Sequence, residues 1–389
     1  MPDGADSLTM TAHSAISAFT AAEWDLCAGS GNPFVSHAFL SALEDSRSAC
    51  ALTGWAPQHL AVRDANGWLL ACAPLYLKSH SYGEYVFDWS WARAYEQAGG
   101  RYYPKLQCAI PFTPVTGPRL LVRPAAGQDP AALQRLMAAA MVKLAQRHAV
   151  SSLHVTFPTE SEAEVMAGAD FLIRVGQQYH WENRGYATFE DFLATLSSRK
   201  RKVIRKERER ANSQGITFRT LSGAAITPDH WDAFYRFYMS TADRKWSNPY
   251  LERSFFTLLG ERMADRVVLV IGEADGRPVC GALNLRGGDT LYGRNWGALG
   301  DFRFLHFEAC YYRAIDYAIA HGLRWVEAGA QGEHKVSRGY LPRATWSAHW
   351  IADQGFRDAI ARFLDHERQM VGEDMEAVAE MGPYRKEGC

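Results

Sequence analysis

The sequence predicts an α/β (α+β) protein of two similar units, each with a mixed, twisted sheet flanked by helices. The main observation is an internal repeat, whose first copy spans residues 59–158 and whose second spans residues 267–329. Each copy follows the order hairpin, two further strands, apolar helix and closing strand. The length of 389 residues also exceeds that of a single ordinary core, which favours two domains.

The predicted elements divide the chain into three parts. Residues 1–20 are expected to form a flexible leader, residues 21–175 the first domain and residues 176–389 the second. The first domain carries an insert at residues 90–118 that is rich in aromatic residues, glycine and proline. We interpret this insert as a long loop that is either functional or an aromatic lid over an apolar edge. A basic helix is predicted at residues 197–211, with a serine before it and Gly215 after it.

Composition excludes several classes of protein. The net charge is −1, with 47% hydrophobic and 22% charged residues, as in ordinary soluble domains. No apolar run is long enough for a membrane span, and we expect no secretory signal because the first residues lack a basic and an apolar stretch. The seven cysteines are scattered without a Cys-x-x-Cys pair, so we expect no metal site and a reducing, cytoplasmic location. Signatures of serine hydrolases, P-loop enzymes, zincins and dinucleotide-binding folds are missing as well.

Residues 199–210 form the strongest charge feature of the chain. They contain eight Lys or Arg and two Glu, a net charge of +6, which leaves −7 for the rest of the protein. Blocks of this kind are often solvated helices with local ion pairs, but two glutamates cannot neutralise eight cations. We therefore predict that the helix binds phosphates of RNA or of a nucleotide-bearing molecule. The candidate contacts are Arg199, Lys200, Arg201, Lys202, Arg205 and Lys206.

Several segments together resemble the FemAB-like group of predicted N-acyltransferases, which are often described as peptidoglycan-related, and more widely the Fem-type peptidyltransferases. These segments are residues 32–36, 75–89, 102–105, 111–119, 197–202, 305–312 and 327–335. The resemblance implies tandem GNAT-like domains of the acyl-CoA N-acyltransferase fold. It also implies transfer of an acyl or aminoacyl group from an activated carrier to a small-molecule or peptide amine. No permanently bound cofactor is expected, because the carrier is a co-substrate.

The carrier implied by the resemblance is either acyl-CoA or aminoacyl-tRNA. GNAT enzymes hold the CoA pyrophosphate in a loop of the form Gln/Arg-x-x-Gly-x-Gly/Ala before a helix. Residues 294–299 match the first four positions of this loop, but Leu299 places bulk where the backbone must approach phosphate. Together with the basic helix, this departure favours aminoacyl-tRNA, with acyl-CoA as the alternative. A non-catalytic protein that binds a ligand or RNA is the competing class.

Attack by an amine requires a base, and the tetrahedral intermediate requires hydrogen-bond donors. Residues 327–338 follow the last core strand of the second copy and combine carboxylates, an amide, an imidazole and cations with small residues. Within this segment we predict Glu333 or His334 as the base and Glu327 as a further catalytic carboxylate. Gln331 would orient the substrate, and Lys335 and Arg338 would contact anionic groups. The alternative is a polar loop whose glycines serve turns.

Other candidates lie in both copies. Asp88, in a predicted aromatic strand, is a second candidate base because burial would raise its pKa. Further substrate contacts are predicted at Arg294, Trp296, His306, Glu308, Lys78, His80, Tyr103 and Lys105. For Glu308 the simpler interpretation is that its charge complements the N-terminal end of the following helix.

Overall fold

The computed structural model describes residues 8–124, 128–244, 249–300, 302–329 and 332–385. The chain forms two compact units. The first unit contains Met1–Gly176 and Ala344–Gly372, and the second contains Gln177–Arg343 and Glu373–Cys389.

The first half of the chain supplies nine strands and five α-helices among the described residues. The strands are β1 (Thr9–His13), β2 (Trp55–Pro57), β3 (His59–Arg63), β4 (Leu69–Ala73), β5 (Leu75–Lys78), β6 (Lys105–Cys108), β7 (Leu121–Val122), β8 (Ser152–Thr156) and β9 (Leu172–Glu182). The helices are α1 (Ala21–Ala28), α2 (His37–Asp45), α3 (Trp89–Gln97), α4 (Pro130–Arg147) and α5 (Glu160–Ala167).

The second half continues this numbering. Its strands are β10 (Ile216–Ser222), β11 (Val267–Ala274), β12 (Arg277–Gly287), β13 (Thr290–Ala298), β14 (Trp325–Glu327) and β15 (Leu341–Ile351). Its helices are α6 (Phe189–Ala194), α7 (Ser198–Asn212), α8 (Pro228–Arg244), α9 (Arg253–Met263), α10 (Leu305–Phe307), α11 (Arg313–Ala320) and α12 (Gln354–Glu380). A π-helical turn, Glu308–Tyr312, joins α10 to α11, and a 3₁₀ helix, Glu333–Arg338, follows β14.

In the first unit the hairpin of the repeat lies in a separate small sheet. Strands β1, β3, β4 and β7 form this sheet, whereas β5 pairs with β2 and β6. Pro74 separates β4 from β5, and because proline lacks an N–H it interrupts pairing at this point. Strand β6 then pairs in parallel with β8, and β8 pairs antiparallel with β15. Leu133, Met137 and Met141 of α4 belong to the core that includes both sheets.

Three expectations for the first unit are wrong. The described part of the leader is ordered, because β1 pairs with β3 along five residues and Ile16 is buried. The insert is not a long loop, because it contains α3 and β6. Residues 82–88 do not form a strand either, and Asp88 occupies the N-cap position of α3. Hydrophobic contacts of Trp91 with Ile360 and Leu364 hold α3 in place.

The second unit is built on a meander. Strands β10, β11, β12 and β13 are antiparallel neighbours, β13 pairs in parallel with β14, and β14 pairs antiparallel with β9. The two units share one arrangement. In the first, β5 and β6 are antiparallel and the strand after α4, β8, is parallel to β6. In the second, β12 and β13 are antiparallel and the strand after α11, β14, is parallel to β13. Helix α8 packs on β12 and β13, where Gly281 and Gly297 allow close approach. In the described residues, no helix is both long and apolar enough to cross a bilayer.

Replacing Gly297 by alanine tests the contact between β13 and α8. A Cβ at this position would lie 1.9 Å from the carbonyl oxygen of Phe237, so backbone must move. We expect Gly297→Ala to lower the free energy of unfolding by about 1–3 kcal/mol, measured by urea unfolding. Gly372→Ala is the control, because it lies in α12 with no atom within 4 Å of the new Cβ. It should raise stability by about 0.5–1 kcal/mol; equal effects of the two substitutions would contradict this account.

Candidate functional site

The strands β13 and β14 diverge in the second unit. Their parallel pairing covers Thr290–Tyr292 and Trp325–Glu327, after which β13 continues to Ala298 as a partner of β12. Gly293 marks the point of divergence, because a Cβ there would lie 3.2 Å from the carbonyl oxygen of Glu327. A shift of register between Ala282 and Asn284 in β12 accompanies this change. The segment after β14 therefore leaves the sheet at the place where the sequence predicts the site.

His334 lies in the 3₁₀ helix of this segment and is held by aromatic residues. Its Nε2 shares a hydrogen bond of 2.9 Å with the Tyr311 hydroxyl, and its ring centroid lies 5.7 Å from that of Phe307. The main chain at Gly332 has φ of +110°, and a Cβ there would meet the His334 ring at 2.4 Å. Partial burial, and then the charges of Arg338 and Lys335, lower the pKa of His334. The imidazole is consequently neutral near pH 7 and able to accept a proton.

Lys335 is the next residue, and its side chain points inward. It is only 2% exposed, and its Nζ donates a hydrogen bond of 2.8 Å to the carbonyl oxygen of Gly329. Burial lowers its pKa to about 8. The ammonium is thus still the main form near pH 7, in surroundings where a positive charge interacts strongly with a developing negative charge.

Arg338 ends the 3₁₀ helix and is already paired. Its Nε and Nη2 donate to the Glu207 carboxylate of α7 at 3.2 and 2.7 Å, and Glu207 also accepts a hydrogen bond from the Tyr312 hydroxyl. Its Nη1 donates to the carbonyl oxygen of His334 at 2.6 Å. The predicted role of Arg338 as an anion contact therefore gives way to a structural one.

Glu308 is buried and pairs with two arginines. It lies in the π-helical turn and pairs with Arg208 of α7 at 3.2 Å and with Arg313 at 2.8 Å. Arg208 also bonds Asp316 at 2.5 Å. These ion pairs were not expected from the sequence, which suggested substrate binding or a charge that complements the N-terminal end of the following helix.

The structure describes most of the other residues that the sequence predicts for this site. Trp296 lies on β13, with its ring centroid 5.5 Å from that of His306, and His306 lies 6.1 Å from His334. Arg294 is a half-buried residue of β13, and Glu327 is the last residue of β14. Gln331 and the side chain of Glu333 lie outside the described residues. The structure thus brings together His334, Lys335, His306 and Trp296.

The predicted pyrophosphate loop is not a loop. Residues 294–298 belong to β13, where Gly297 and Ala298 pair with Gly281 and Cys280 of β12. The amide of Leu299 donates to the carbonyl oxygen of Val279 at 2.8 Å. This segment therefore has its backbone engaged in the sheet rather than directed at phosphate.

The basic helix is confirmed as α7, and its cations divide into three groups. Arg208 points inward to Glu308 and Asp316, and Arg205 pairs with Glu190 at the surface. In the part of the chain that the structure describes, the other predicted cations have no carboxylate within 4.0 Å; they are Arg199, Lys200, Arg201, Lys202 and Lys206. Glu207 cannot neutralise them, because it faces Arg338. A positive surface remains on α7.

The first unit contains a second cluster of charged residues, which is fully buried. Lys105 Nζ donates to Glu84 Oε2 and Ser81 Oγ at 2.8 Å and to Asp88 Oδ2. Lys78 Nζ lies 3.9 Å from Glu84 Oε1 and 3.6 Å above the Trp55 ring. Of the predicted residues here, Lys78, Lys105 and Asp88 are thus brought together.

The pKa values of this cluster reflect burial and pairing. Burial alone would raise the pKa of Asp88, but the Lys105 charge and hydrogen bond outweigh it, so the net pKa is low. The expectation of a base with a raised pKa is therefore wrong for Asp88. Burial raises the pKa of Glu84 to about 7 and lowers that of Lys78 to about 7.

The remaining predicted residues of the first unit lie at the edge of the cluster. Tyr103 shares a hydrogen bond of 2.8 Å with Ser81, and His80 accepts from the amide of Tyr82 at 3.2 Å. Sequence reasoning missed Glu84, although it lies in the segment 75–89 that carries the resemblance. It also missed that His154 and His349 share a hydrogen bond of 2.6 Å. The repeated Ser-x-His pattern at residues 152–154 and 347–349 was the available signal.

Comparison with known proteins identifies the family. A family model described as FemAB-like, peptidoglycan biosynthesis/recognition, matches residues 15–386. The chain belongs to the FemAB-like family. No curated protein sequence matches it.

Solved structures share the fold of this FemAB-like protein. A crystal structure of FemX is 12% identical, with a TM-score of 0.54, and covers 88% of this chain and 98% of its own. The C-terminal domain of a protein described as a lysylphosphatidylglycerol synthetase from Agrobacterium fabrum is 8% identical with a TM-score of 0.54, and covers 88% and 96%. L-PGS from Bacillus licheniformis is 9% identical with a TM-score of 0.51, and covers 83% and 95%.

These findings confirm the resemblance and the predicted α/β class with mixed sheets flanked by helices. Such low identities show the fold and nothing finer. Family and fold together support a function of the acyltransferase type.

Substitution of Lys105 tests the buried cluster of this FemAB-like protein. Lys105→Met leaves two buried carboxylates without their main cation, and we expect a loss of about 3–5 kcal/mol in the free energy of unfolding. Adding Asp88→Asn should restore a substantial part, because it removes one unpaired charge. Lys143→Met on the exposed side of α4 is the control and should change stability by at most about 0.5 kcal/mol. Equal stability of the Lys105 and Lys143 variants would refute the pairing.

Proposed function

We propose that this FemAB-like protein is an N-acyltransferase that moves an aminoacyl or acyl group from an activated carrier to an amine. One observation carries the proposal. Two consecutive residues after β14 present a neutral imidazole, His334, and a buried ammonium, Lys335. They lie where β13 and β14 diverge, and acyl transfer to an amine needs both a proton acceptor and a group that stabilises an oxyanion.

The proposed reaction is a direct attack without a covalent enzyme intermediate. The acceptor nitrogen forms a bond to the carrier's carbonyl carbon, and His334 takes the proton that the nitrogen loses. The carbonyl oxygen becomes negatively charged near the Lys335 ammonium. As the tetrahedral intermediate collapses, the bond to the carrier oxygen or sulfur breaks, and the imidazolium returns a proton to that leaving group. Tyr311 keeps the imidazole in place through its hydrogen bond.

We favour aminoacyl-tRNA as the carrier. The exposed cations of α7 suit a polyanion, and Glu207 of the same helix pairs with Arg338 in the segment that follows β14. The backbone of residues 297–299 is engaged in the sheet, which weighs against a CoA pyrophosphate loop there. For the acceptor, the family description favours a peptide amine of a cell-wall precursor.

The pH dependence of kcat tests the two roles. The base acts when it is deprotonated, so the rate should rise with pH through the lowered pKa of His334, with a midpoint below 6.5. The ammonium acts when it is protonated, so the rate should fall as pH rises through about 8. His334→Gln should reduce kcat by about 10²- to 10⁴-fold and Lys335→Met by about 10²- to 10³-fold. Each variant should lose its own limb of the profile, as measured by release of uncharged tRNA; unchanged kcat in both contradicts the proposal.

Binding of charged tRNA at several salt concentrations tests the carrier. Arg199→Ala with Lys202→Ala should weaken binding and reduce the slope of log K against log salt by about 1.4–1.8. Lys143→Ala with Arg147→Ala removes the same two charge types from α4, where both side chains are exposed, and should leave binding unchanged. Thermal stabilisation by acetyl-CoA, with none by charged tRNA, would instead identify acyl-CoA as the carrier.

A further inference from the structure

Glu207 is the residue through which α7 reaches the proposed site. Its carboxylate is 8% exposed and faces away from the exposed cations of its own helix. It accepts two hydrogen bonds from the Arg338 guanidinium and one from Tyr312. A carboxylate with three donors and an opposite charge is held in one geometry, because each donor fixes a different direction.

Arg338 transmits this constraint to the main chain of the site. While two of its nitrogens bond Glu207, Nη1 donates to the carbonyl oxygen of His334, and the guanidinium stacks 3.5 Å from the centroid of Phe307. Phe307 in turn stacks on Tyr311 at 6.1 Å, and Tyr311 holds the His334 ring. Arg338 therefore fixes His334 from both sides, at its backbone directly and at its ring through Phe307 and Tyr311.

We propose that Glu207 is a positioning residue for acyl transfer, which sets Arg338 and through it the orientation of His334. This inference rests on the proposed function, in which His334 is the base. Glu207 touches no reacting atom, and its effect is on the geometry and charge around the imidazole. Displacement of a reacting group by about 1 Å can lower the rate about 10²-fold. Glu207 can therefore affect turnover although it does not contact the substrate, because it fixes the position of His334.

Titration of His334 in the full-length protein tests the inference without an activity assay. The histidine ring signals are followed by NMR as a function of pH, and His334→Gln identifies the relevant signal. The charged and titratable groups that face this ring are Tyr311, His306, Lys335 and Arg338. Glu207→Gln keeps an oxygen that accepts from Arg338 but removes the negative charge. The uncompensated guanidinium should then lower the midpoint by roughly half a unit.

Glu207→Ala should act in the opposite direction. Without any acceptor Arg338 is released, and the midpoint should rise towards 6.5. Glu209→Gln is the matched control, because it makes the same change two residues along α7, where the side chain is exposed. It should leave the midpoint in place. The inference is overturned if Glu207→Gln raises the midpoint, as a general loosening of the segment does, or if neither Glu207 variant differs from the control.

Kinetics separate this inference from the proposed function. Glu207→Gln should lower kcat by about 10- to 100-fold while KM for the carrier stays within about twofold. Glu207→Asp keeps the charge and should recover part of that loss. If His334→Gln retains full activity while the titration behaves as expected, the proposed base is wrong and the link from Glu207 to His334 stands. If His334→Gln is inactive while Glu207→Gln keeps the wild-type kcat and titration, the positioning role is wrong.

Discussion

The ion pair between Glu207 and Arg338 is the contact on which the site of the second unit depends. A charge withdrawn from water must find an opposite charge or several hydrogen bonds, because the cost of leaving it alone is several kcal/mol. Here the Glu207 carboxylate supplies the opposite charge for the Arg338 guanidinium and also accepts the hydrogen bond of the Tyr312 hydroxyl. The 3₁₀ helix is thereby tied to α7, and the segment of His334 and Lys335 acquires one conformation. A short 3₁₀ helix has few internal hydrogen bonds of its own to achieve this.

The same constraint orders the first unit. The Lys105 ammonium donates hydrogen bonds to two buried carboxylates and to the Ser81 hydroxyl. These bonds hold residues 81–88 against β6, and α3 begins directly after them. The net pKa of Asp88 follows from this arrangement rather than from burial alone. A carboxylate whose proton affinity is lowered by a permanent ammonium neighbour is suited to structure more than to proton transfer at neutral pH.

Local patterns predicted the regular elements well. The basic helix was expected at residues 197–211 and spans Ser198–Asn212, since its signals, a serine before it and a glycine after it, are local. The sequence also pointed to residues 334 and 335, which form the proposed site, by their chemistry. The features that the sequence did not predict depend on contacts between residues that are far apart in the chain. The aromatic character of residues 82–88 predicted a strand, but Lys105, seventeen residues beyond Asp88, bonds to this segment and determines its structure. His154 and His349 are separated by 195 residues, and although both lie in a Ser-x-His pattern, that pattern does not predict their contact.

Helix α7 shows why counting charges along a sequence is insufficient. The sequence indicated that two glutamates cannot neutralise eight cations. In the structure Glu207 pairs instead with Arg338, and Arg208 is neutralised by Glu308 and Asp316, about a hundred residues away. These internal pairs involve one anion, Glu207, and one cation, Arg208, of the helix. The net charge of the remaining residues is therefore unchanged, but the positive charge is no longer spread evenly around the helix. The charges on the inward face are paired and attach the helix to the rest of the unit, whereas the unpaired positive charges lie on the outer face. A helix of this kind can bind a polyanion on one side while its other side stays fixed to the site, because the two tasks use different residues.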